Sequence, residues 1–285
     1  MGWFRRKSPL EKEWAAMEKK ELAMARAAVR ASRPAWRKKL EELIPRKVFE
    51  GLDSAFCKGF QIVFEKGVGI IEKTYNPERI RQIHAVADYA AQVTGRRKEL
   101  KQIRKNARSA QYGNLAITTA EGLGLGALGV GLPDIVVFIA MLLKGIYETA
   151  LHYGFEYDTP QEQLLILKMM ETSLAKGEQW LELDEEVEEL MTEEFLFDVS
   201  DVQEQIRVTG RAFALDMLLL KFIQGLPVVG ILGGAGNPVY YNKVLGYVQV
   251  KYRKRYLMEL YRREEEGDEL DQEEYEHVLA EDGVG

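Results

Sequence analysis

The sequence predicts an all-α fold, a multi-helix globular bundle with two glycine-rich helix junctions. Apolar residues recur three or four positions apart, as at Leu10, Trp14 and Met17, which is the spacing of one helix face. Alternation with a period of two is scarce, and its best example, residues 244–252, runs directly into a helix-like segment. An apolar content of 46% over 285 residues is enough to fill a core.

Helix starts are marked where a serine, threonine or asparagine precedes a proline. These side chains accept hydrogen bonds from free N–H groups of the first turn, and proline fits there because it needs no partner. Two of the pairs also have glutamate two residues after the proline, which is the capping-box pattern. The pairs are Ser8-Pro9, Asn76-Pro77, Thr159-Pro160 and Asn237-Pro238. By similar reasoning, Pro133 is predicted to begin an apolar helix that Gly154 ends.

Charge is distributed in blocks, although the net charge is only −6. Residues 1–47 carry 14 Lys and Arg against 6 acids, and residues 156–204 carry 16 acids against two bases. Residues 264–285 contain eleven acids and no Lys or Arg. Such blocks are typical of interaction surfaces and tails, and also of plain solvated helix faces. We divide the chain into a basic helical N-terminal arm (1–47), a helical domain (48–263) and an acidic tail (264–285) whose composition is compatible with disorder.

The cellular setting follows from two features. Cys57 is the one cysteine, so the chain has no internal disulfide framework and fits a reducing compartment. The first residues, MGWFRRKSPLEKEW, have no apolar segment after their charges, so we predict no secretory signal. We expect a cytoplasmic location, peripheral to the inner face of the cell membrane.

A glycine-rich stretch, residues 122–132, leads into an apolar run and has three interpretations. It contains a G-x-G-x-x-G pattern, but no convincing strand precedes it and no P-loop motif occurs in the sequence, so we do not expect nucleotide binding. Residues 122–143 are long enough to span a membrane, with Asp134 as their one charge. A proline and a carboxylate near the centre make a permanent span costly. We favour a buried pair of helices over a transmembrane helix or shallow insertion.

Two segments share one spacing, which suggests an internal pseudo-repeat. Residues 131–133 read Gly-Leu-Pro and are followed by Tyr147 and Tyr153; residues 225–227 read the same and are followed at equal distances by Tyr241 and Tyr247. Close helix crossings and helix capping explain these positions more simply than a ligand does. The candidates for a ligand site or helix junction are Gly131, Pro133, Asp134, Tyr147, Tyr153, Gly154, Pro227, Gly230, Gly234, Asn237 and Tyr241.

The sequence contains no recognisable catalytic constellation. Its histidines, His84, His152 and His277, have no second ligand at metal-like spacing. No G-x-S-x-G elbow is present, and Cys57 has no local nucleophile signature. We therefore assign no catalytic residue, no metal and no cofactor, and we leave open whether the chain is an enzyme.

Two basic segments indicate an anionic partner. The N-terminus joins two aromatic residues to three cations, a combination suited to an anionic leaflet, and residues 95–114 hold seven bases and one acid on a predicted helix. Nucleic acid is the rival partner, but no reader motif is present and the chain is acidic overall. We expect an anionic membrane surface or a membrane protein. The docking candidates are Trp3, Phe4, Arg5, Arg6, Lys7, Arg96, Arg97, Lys98, Lys101, Arg104, Lys105 and Arg108.

The glycine-rich stretches also carry a family resemblance. The segment from residue 122 to 170 has a Pro/Asp-headed helix and a Tyr-Gly close, and residues 226–257 contain a P-x-x-G-x-x-x-G segment with Asn237 one residue earlier than the regular spacing. Together, over roughly residues 85–260, they resemble the EcsC protein family. The resemblance implies a bacterial helical protein of Gram-positive type, from a family named after an operon that also encodes an ABC transporter ATPase and its membrane subunit. It implies no settled activity.

Three functional hypotheses remain at this stage. The first is a non-enzymatic peripheral membrane protein, an accessory or regulator near a transporter, that docks through its basic segments. The second is a hydrolase acting on lipid or peptide, with Asp134, Asn237 and the tyrosines around one pocket. The third is a protein that binds a lipid or another apolar ligand between its two glycine-rich halves.

Overall fold

The computed structural model describes the backbone of residues 7–31, 42, 44–116, 133–192, 199–224 and 236–282. Its side chains are described for residues 7–31, 42, 44–109, 135–192, 200–220 and 238–267. Within these ranges the regular structure is helical and no strand is present, which confirms the all-α prediction. The strand-like residues 244–252 belong to a helix.

Ten α-helices and one π-helical segment are defined in the described ranges. They are α1 (Pro9–Arg30), α2 (Arg46–Ile62), the π segment (Val63–Gly67), α3 (Val68–Glu72), α4 (Pro77–Thr94), α5 (Arg97–Ala116), α6 (Pro133–His152), α7 (Pro160–Leu174), α8 (Glu178–Thr192), α9 (Val199–Gln224) and α10 (Gly236–Asp282). Most of the predicted acidic tail is thus the last part of the α10 backbone.

Local capping chemistry sets three of the four proline-marked helix starts as predicted. Ser8 forms a capping box, in which its hydroxyl accepts the Glu11 N–H at 3.0 Å and the Glu11 carboxylate accepts the Ser8 N–H at 2.6 Å. Asn76 caps α4 and Thr159 caps α7 through side-chain oxygens. The fourth helix, α10, begins at Gly236, so Asn237 lies within its first turn rather than ahead of it.

The apolar helix α6 is the central element of the bundle. It begins at Pro133 as predicted and packs against α2, α4, α5 and α10. Among the described helices, its segment Ile135–His152 alone is long and apolar enough to cross a membrane, with a mean hydropathy of 1.6. That segment is 89% buried inside the bundle, as the core helix of a globular protein is.

The helix α6 ends at a glycine whose conformation other residues rarely adopt. Gly154 has φ +86°, and the Phe155 N–H donates to the Ala150 carbonyl at 3.0 Å, the long bond of a Schellman motif. A β-carbon on Gly154 would lie within 2.9 Å of His84 Cδ2 and closer still to Nε2. The predicted C-terminal cap is therefore confirmed, and it also brings α4 close to the end of α6.

The helix α1 is an integral part of the bundle. It packs against α5, α8 and α10, and its side chains Leu10 and Met17 are buried in the common core. Its C-terminal end is also held, because the Gly177 N–H donates to the Ala28 carbonyl at 3.0 Å. The segment defined from the sequence as a basic arm thus contributes one helix to the packed structure.

Candidate functional site

The helices α4 and α5 form a hairpin whose connection is one tight turn. Gly95 ends α4 in the left-handed conformation, with φ 56°, and its N–H donates to the Ala91 carbonyl at 2.9 Å. The two helices pack on each other, and each also packs on α6. The hairpin therefore covers one side of the core and presents its outer surface to solvent.

The outer surface of α4 exposes four large apolar side chains, of which Ile83 is the least exposed at 38%. Val86, Tyr89 and Val93 are 72%, 68% and 65% exposed, and their spacing of three and four residues puts them on one helix face. We call these three residues the apolar ridge. Ala91, on the opposite face of α4, is buried. Single exposed apolar residues are ordinary, but a row of three on one helix makes this surface a candidate for contact with a partner.

A groove separates the apolar ridge from α5. On the α4 side it is lined by Ile83, Val86 and neighbouring alanines, and on the α5 side by Gln102 and Asn106. Its volume is about 560 Å³ and it is open to solvent. The groove is mostly apolar at its α4 wall and uncharged along most of its α5 wall.

Beyond the groove, α5 carries an almost unbroken row of cations. Lys98, Lys101, Lys105 and Arg108 are exposed and follow one another at intervals of three or four residues, so they share one side of the helix. We call these four residues the basic stripe. The apolar ridge, the groove and the basic stripe together form one surface, which we call the docking face. The acid of this segment, Glu99, lines the groove instead.

A buried carboxylate holds the remaining arginines of α5. Glu13 of α1 is 1% exposed and accepts from Arg97 Nε at 2.7 Å, from Arg104 Nη1 at 3.3 Å and from Arg253 Nη2 at 2.7 Å. Burying a carboxylate is costly unless it is paired and hydrogen-bonded, as it is here. One negative charge is thus shared by three guanidinium groups, and the site keeps an excess of positive charge.

The basic stripe borders a cleft on the side nearer α1. Lys101, Arg104, Lys105, Arg108 and Ser109 line it, and its volume is about 500 Å³. We call it the basic cleft. The cations around the basic cleft also affect Lys20 of α1. Partial burial, followed by the guanidinium groups of Arg108, Arg253 and Arg104, lowers the pKa of the Lys20 amino group.

The structure brings together the docking candidates of residues 96–108. Arg96, Arg97, Lys98, Lys101, Arg104, Lys105 and Arg108 all lie on the hairpin described above. Lys7 is exposed beside the start of α1, where Ser8 and Pro9 line a shared cleft with Gln92 and Gly95 of the hairpin turn. Trp3, Phe4, Arg5 and Arg6 lie outside the described residues.

The tyrosine candidates occupy separate helix junctions. Tyr147 stacks on Tyr157 with 4.1 Å between ring centroids, whereas Tyr153 packs near Tyr256 with 6.0 Å between centroids. Tyr241 packs against the α6 backbone at Gly145. Within the described part of the chain, five surface clefts can be defined, and none of them is lined by these three tyrosines.

The other candidates from the glycine-rich stretches cannot be placed as side chains. Gly131, Pro227, Gly230 and Gly234 lie outside the described residues. For Pro133, Asp134 and Asn237 the backbone is helical, and their side chains lie outside the described part.

A second charged cluster lies nearer the C-terminal end of α1, at Glu21, and has a cation at its centre. Lys251 is 0% exposed; its Nζ lies 2.6 Å from Glu21 Oε1 and 2.8 Å from Asp184 Oδ1, and it also contacts Glu188. These three carboxylates are near enough to one another to hold a metal ion. The Lys251 ammonium lies between the three carboxylates, where a metal ion would bind. The cluster is therefore an internal ion network that joins α1, α8 and α10.

Sequence reasoning missed the apolar ridge, the buried Glu13 and the buried Lys251. The ridge had a detectable signal, because α4 has apolar residues on two faces: Ile80, Ala87 and Ala91 inside, and Val86, Tyr89 and Val93 outside. The two buried charges had no local signal, since their partners lie far away in the chain.

The chain was also compared with known proteins. The sequence pattern of the EcsC protein family matches residues 10–257, which extends the resemblance noted over roughly residues 85–260 toward the N-terminus, to include α1, α2 and the start of α4. No curated protein and no solved structure matches the chain significantly.

Proposed function

The chain belongs to the EcsC protein family, and we propose that it is a non-enzymatic accessory or regulatory protein that docks on the cytoplasmic face of a bacterial membrane. The observation that supports this proposal is the docking face, in which an exposed apolar ridge and a basic stripe flank one groove. A surface with this composition complements an anionic leaflet in both charge and polarity.

The expected strength of docking makes it reversible. Full burial of a Val side chain is worth about 1.5–3 kcal/mol, and side chains that enter only the headgroup layer gain less. Each Lys or Arg near an anionic surface adds about 1 kcal/mol. The ridge and the stripe therefore act as two moderate signals, which together give stable but salt-sensitive attachment.

The distribution of charge also sets the orientation of the docked protein on the membrane. The helix α8 exposes Glu182, Glu185, Glu186 and Glu189 and packs against α1 and α7. An anionic leaflet repels this acidic surface and attracts the basic stripe. The protein thus presents an acidic surface away from lipid, where a membrane protein with basic cytoplasmic segments can bind it; we place an ABC transporter in this role because the family is named from such an operon.

The two alternative functions receive less support. A hydrolase requires its catalytic groups around one cavity, and the tyrosines instead lie at separate junctions within the described bundle. An apolar ligand between the two glycine-rich halves depends on segments outside the described residues. Neither alternative explains the exposed ridge beside the basic stripe.

Co-sedimentation with vesicles tests the proposal. The wild type is expected to bind vesicles that contain anionic lipid, to release them in high salt, and to ignore neutral vesicles. Replacing Lys98, Lys101 and Lys105 by Gln is expected to weaken binding about 100-fold, because three contributions of about 1 kcal/mol are lost. Replacing Val86, Tyr89 and Val93 by Ser is expected to weaken it at least about tenfold.

A matched control has the same charge change elsewhere. Arg46, Lys47 and Lys58 are exposed on α2, and their replacement by Gln removes three cations without touching the docking face. This control is expected to keep nearly the full affinity. Equal losses in the control and in the α5 variant, or no binding by the wild type, would overturn the proposal.

A further inference from the structure

We propose that the basic cleft binds a phosphomonoester group, the dianionic phosphate that some membrane lipids carry as their headgroup. This inference rests on the proposed docking function and specifies its ligand. The cleft is lined by Lys101, Arg104, Lys105, Arg108 and Ser109, all on α5. It is open to solvent, and its volume of about 500 Å³ admits a phosphate group.

The geometry of the cleft differs from that of a scattered basic surface. Its four cations lie on one side of α5 within two turns, so a single phosphate can contact several of them at once. Ser109 is at the end of the cleft, where its hydroxyl donates to the Asn106 carbonyl at 2.8 Å. The hydroxyl oxygen is thereby oriented, and the donors for an anion come from the four cationic side chains.

One of the four cations is fixed in place by the core. Arg104 is half-buried, and its Nη1 donates to the buried Glu13 carboxylate at 3.3 Å. Glu13 is itself fixed, because Arg253 donates both to its carboxylate at 2.7 Å and to its backbone carbonyl at 3.0 Å. A guanidinium has five N–H donors, so Arg104 retains donors for a second anion. A positioned guanidinium loses less entropy on binding than a free one.

The local charge is strongly unbalanced. Besides Arg108, six cations lie in and behind the cleft, namely Lys20, Arg97, Lys101, Arg104, Lys105 and Arg253, and Glu13 is the acid that Arg97, Arg104 and Arg253 contact. No ion pair joins Lys101 or Lys105 to an acid within the described part of the chain. Burial and the neighbouring positive charges lower the pKa of Lys20, and burial likewise lowers the pKa of Arg253. A bound dianion relieves this repulsion.

The same reasoning predicts a preference between lipid headgroups. A phosphomonoester carries up to two charges and three terminal oxygens, whereas a phosphodiester carries one charge and two such oxygens. Arginine donates to phosphate in pairs of parallel hydrogen bonds, and several cations around one phosphate favour the form with more charge. The apolar ridge lies across the groove, so it can enter the leaflet while the cleft holds a headgroup.

Vesicles of equal surface charge test this inference. One set contains phosphatidic acid, a monoester lipid, and the other phosphatidylglycerol, a diester lipid, with their proportions adjusted to the same zeta potential. The wild type is expected to bind the monoester vesicles more tightly by about tenfold, the factor for one additional charge-assisted hydrogen bond. Lys105→Gln with Arg108→Gln is expected to abolish this ratio. The control Lys98→Gln, on the basic stripe outside the cleft, is expected to weaken both bindings equally and to keep the ratio.

Calorimetric titration with soluble sn-glycerol 3-phosphate separates the cleft from the membrane. Binding of this monoester, but not of the diester glycerophosphoglycerol, supports the proposal that the basic cleft binds a phosphomonoester. If the protein binds the monoester but no vesicles, the cleft proposal holds and the docking proposal fails. If the protein binds both kinds of vesicle equally, and the ratio of the two affinities is the same in both variants, the proposal of phosphomonoester binding is wrong. The docking proposal then still holds.

Discussion

Glu13 and Arg253 are separated by 240 residues in the chain, and the carboxylate of the first accepts a 2.7 Å hydrogen bond from the guanidinium of the second. The contact joins α1 to α10, and the same carboxylate also accepts from Arg97 and Arg104 of α5. One buried acid thus connects three helices. It holds the back of the basic cleft and fixes the orientation of α5, on which the proposed docking face depends.

Glu13→Gln is expected to destabilise the protein. The substitution keeps the shape of the side chain but leaves buried Arg253 without its counter-ion, a change that costs about 3–5 kcal/mol. Urea unfolding followed by circular dichroism measures the loss. The control Glu50→Gln removes one partner of the exposed pair with Arg46 and is expected to change stability by less than about 0.5 kcal/mol. A loss as small for Glu13→Gln as for the control contradicts this account of the anchor.

Lys251→Met is expected to destabilise the protein in a pH-dependent way. Burial alone would raise the pKa of Glu21, but the Lys251 and Lys254 ammonium groups outweigh it and lower that pKa. The stability that comes from this carboxylate is present above its unfolded pKa and is lost as the pH falls. Without Lys251 three adjacent carboxylates repel one another at pH 7, at a cost of about 3 kcal/mol or more.

Unfolding titrations at pH 7 and pH 4.5 measure this difference. The gap between the wild type and Lys251→Met is expected to narrow at the lower pH. Lys254→Met removes a more exposed cation of the same cluster and is expected to lose less. A gap of equal size at both pH values contradicts the assignment of Lys251 as the counter-ion of this cluster.

Gly154→Ala is expected to destabilise the end of α6. An alanine at φ +86° is strained by about 1–2 kcal/mol, and its β-carbon also meets the His84 ring, so the total loss is about 2–4 kcal/mol. Gly51 provides the matched control, because it lies inside α2 with nothing within 4 Å of an added β-carbon. Gly51→Ala is expected to stabilise the protein by about 0.5–1 kcal/mol in thermal or urea unfolding. Similar effects at the two positions contradict the close approach of α4 to Gly154.

The stability of the protein is expected to decrease between pH 7 and pH 5. Burial, with a smaller contribution from the charge of His84, lowers the pKa of His152 to about 4. The unfolded chain, with a histidine pKa near ~6.5, binds more protons in this window, so stability falls as the pH falls. For one histidine the loss at pH 5 is on the order of 2 kcal/mol. His152→Leu is expected to reduce the slope of stability against pH; an unchanged slope shows that other groups cause it.

The features that the sequence predicted correctly depend on neighbouring residues. Ser8, Asn76 and Thr159 each cap a helix by accepting the backbone N–H three residues further on, and Gly154 ends α6 through its own backbone conformation. The apolar composition of α6 is also local, and it predicted a buried helix rather than a membrane span. Such features require no knowledge of what packs against them.

The features that could not be predicted depend on distant partners. In the sequence, Glu13 resembles any solvated acid on a helix. It is buried because it pairs with Arg97 and Arg253, which lie 84 and 240 residues further along the chain. The apolar ridge shows a related difficulty. Helical spacing puts Val86 and Val93 on one face, but spacing alone does not tell whether the fold covers that face.

A site-specific fluorophore reports whether the α4 face of the hairpin enters the membrane interface, as the proposed function requires. In a Cys57→Ala background, an environment-sensitive fluorophore is attached at Tyr89→Cys on the apolar ridge, or at Leu181→Cys on α8 as the matched exposed position. With anionic vesicles, we expect a blue shift of the emission at position 89, reversed by high salt, and no shift at position 181. A blue shift at position 181 alone, or no shift at position 89 while the protein sediments with the vesicles, contradicts the proposed docking face.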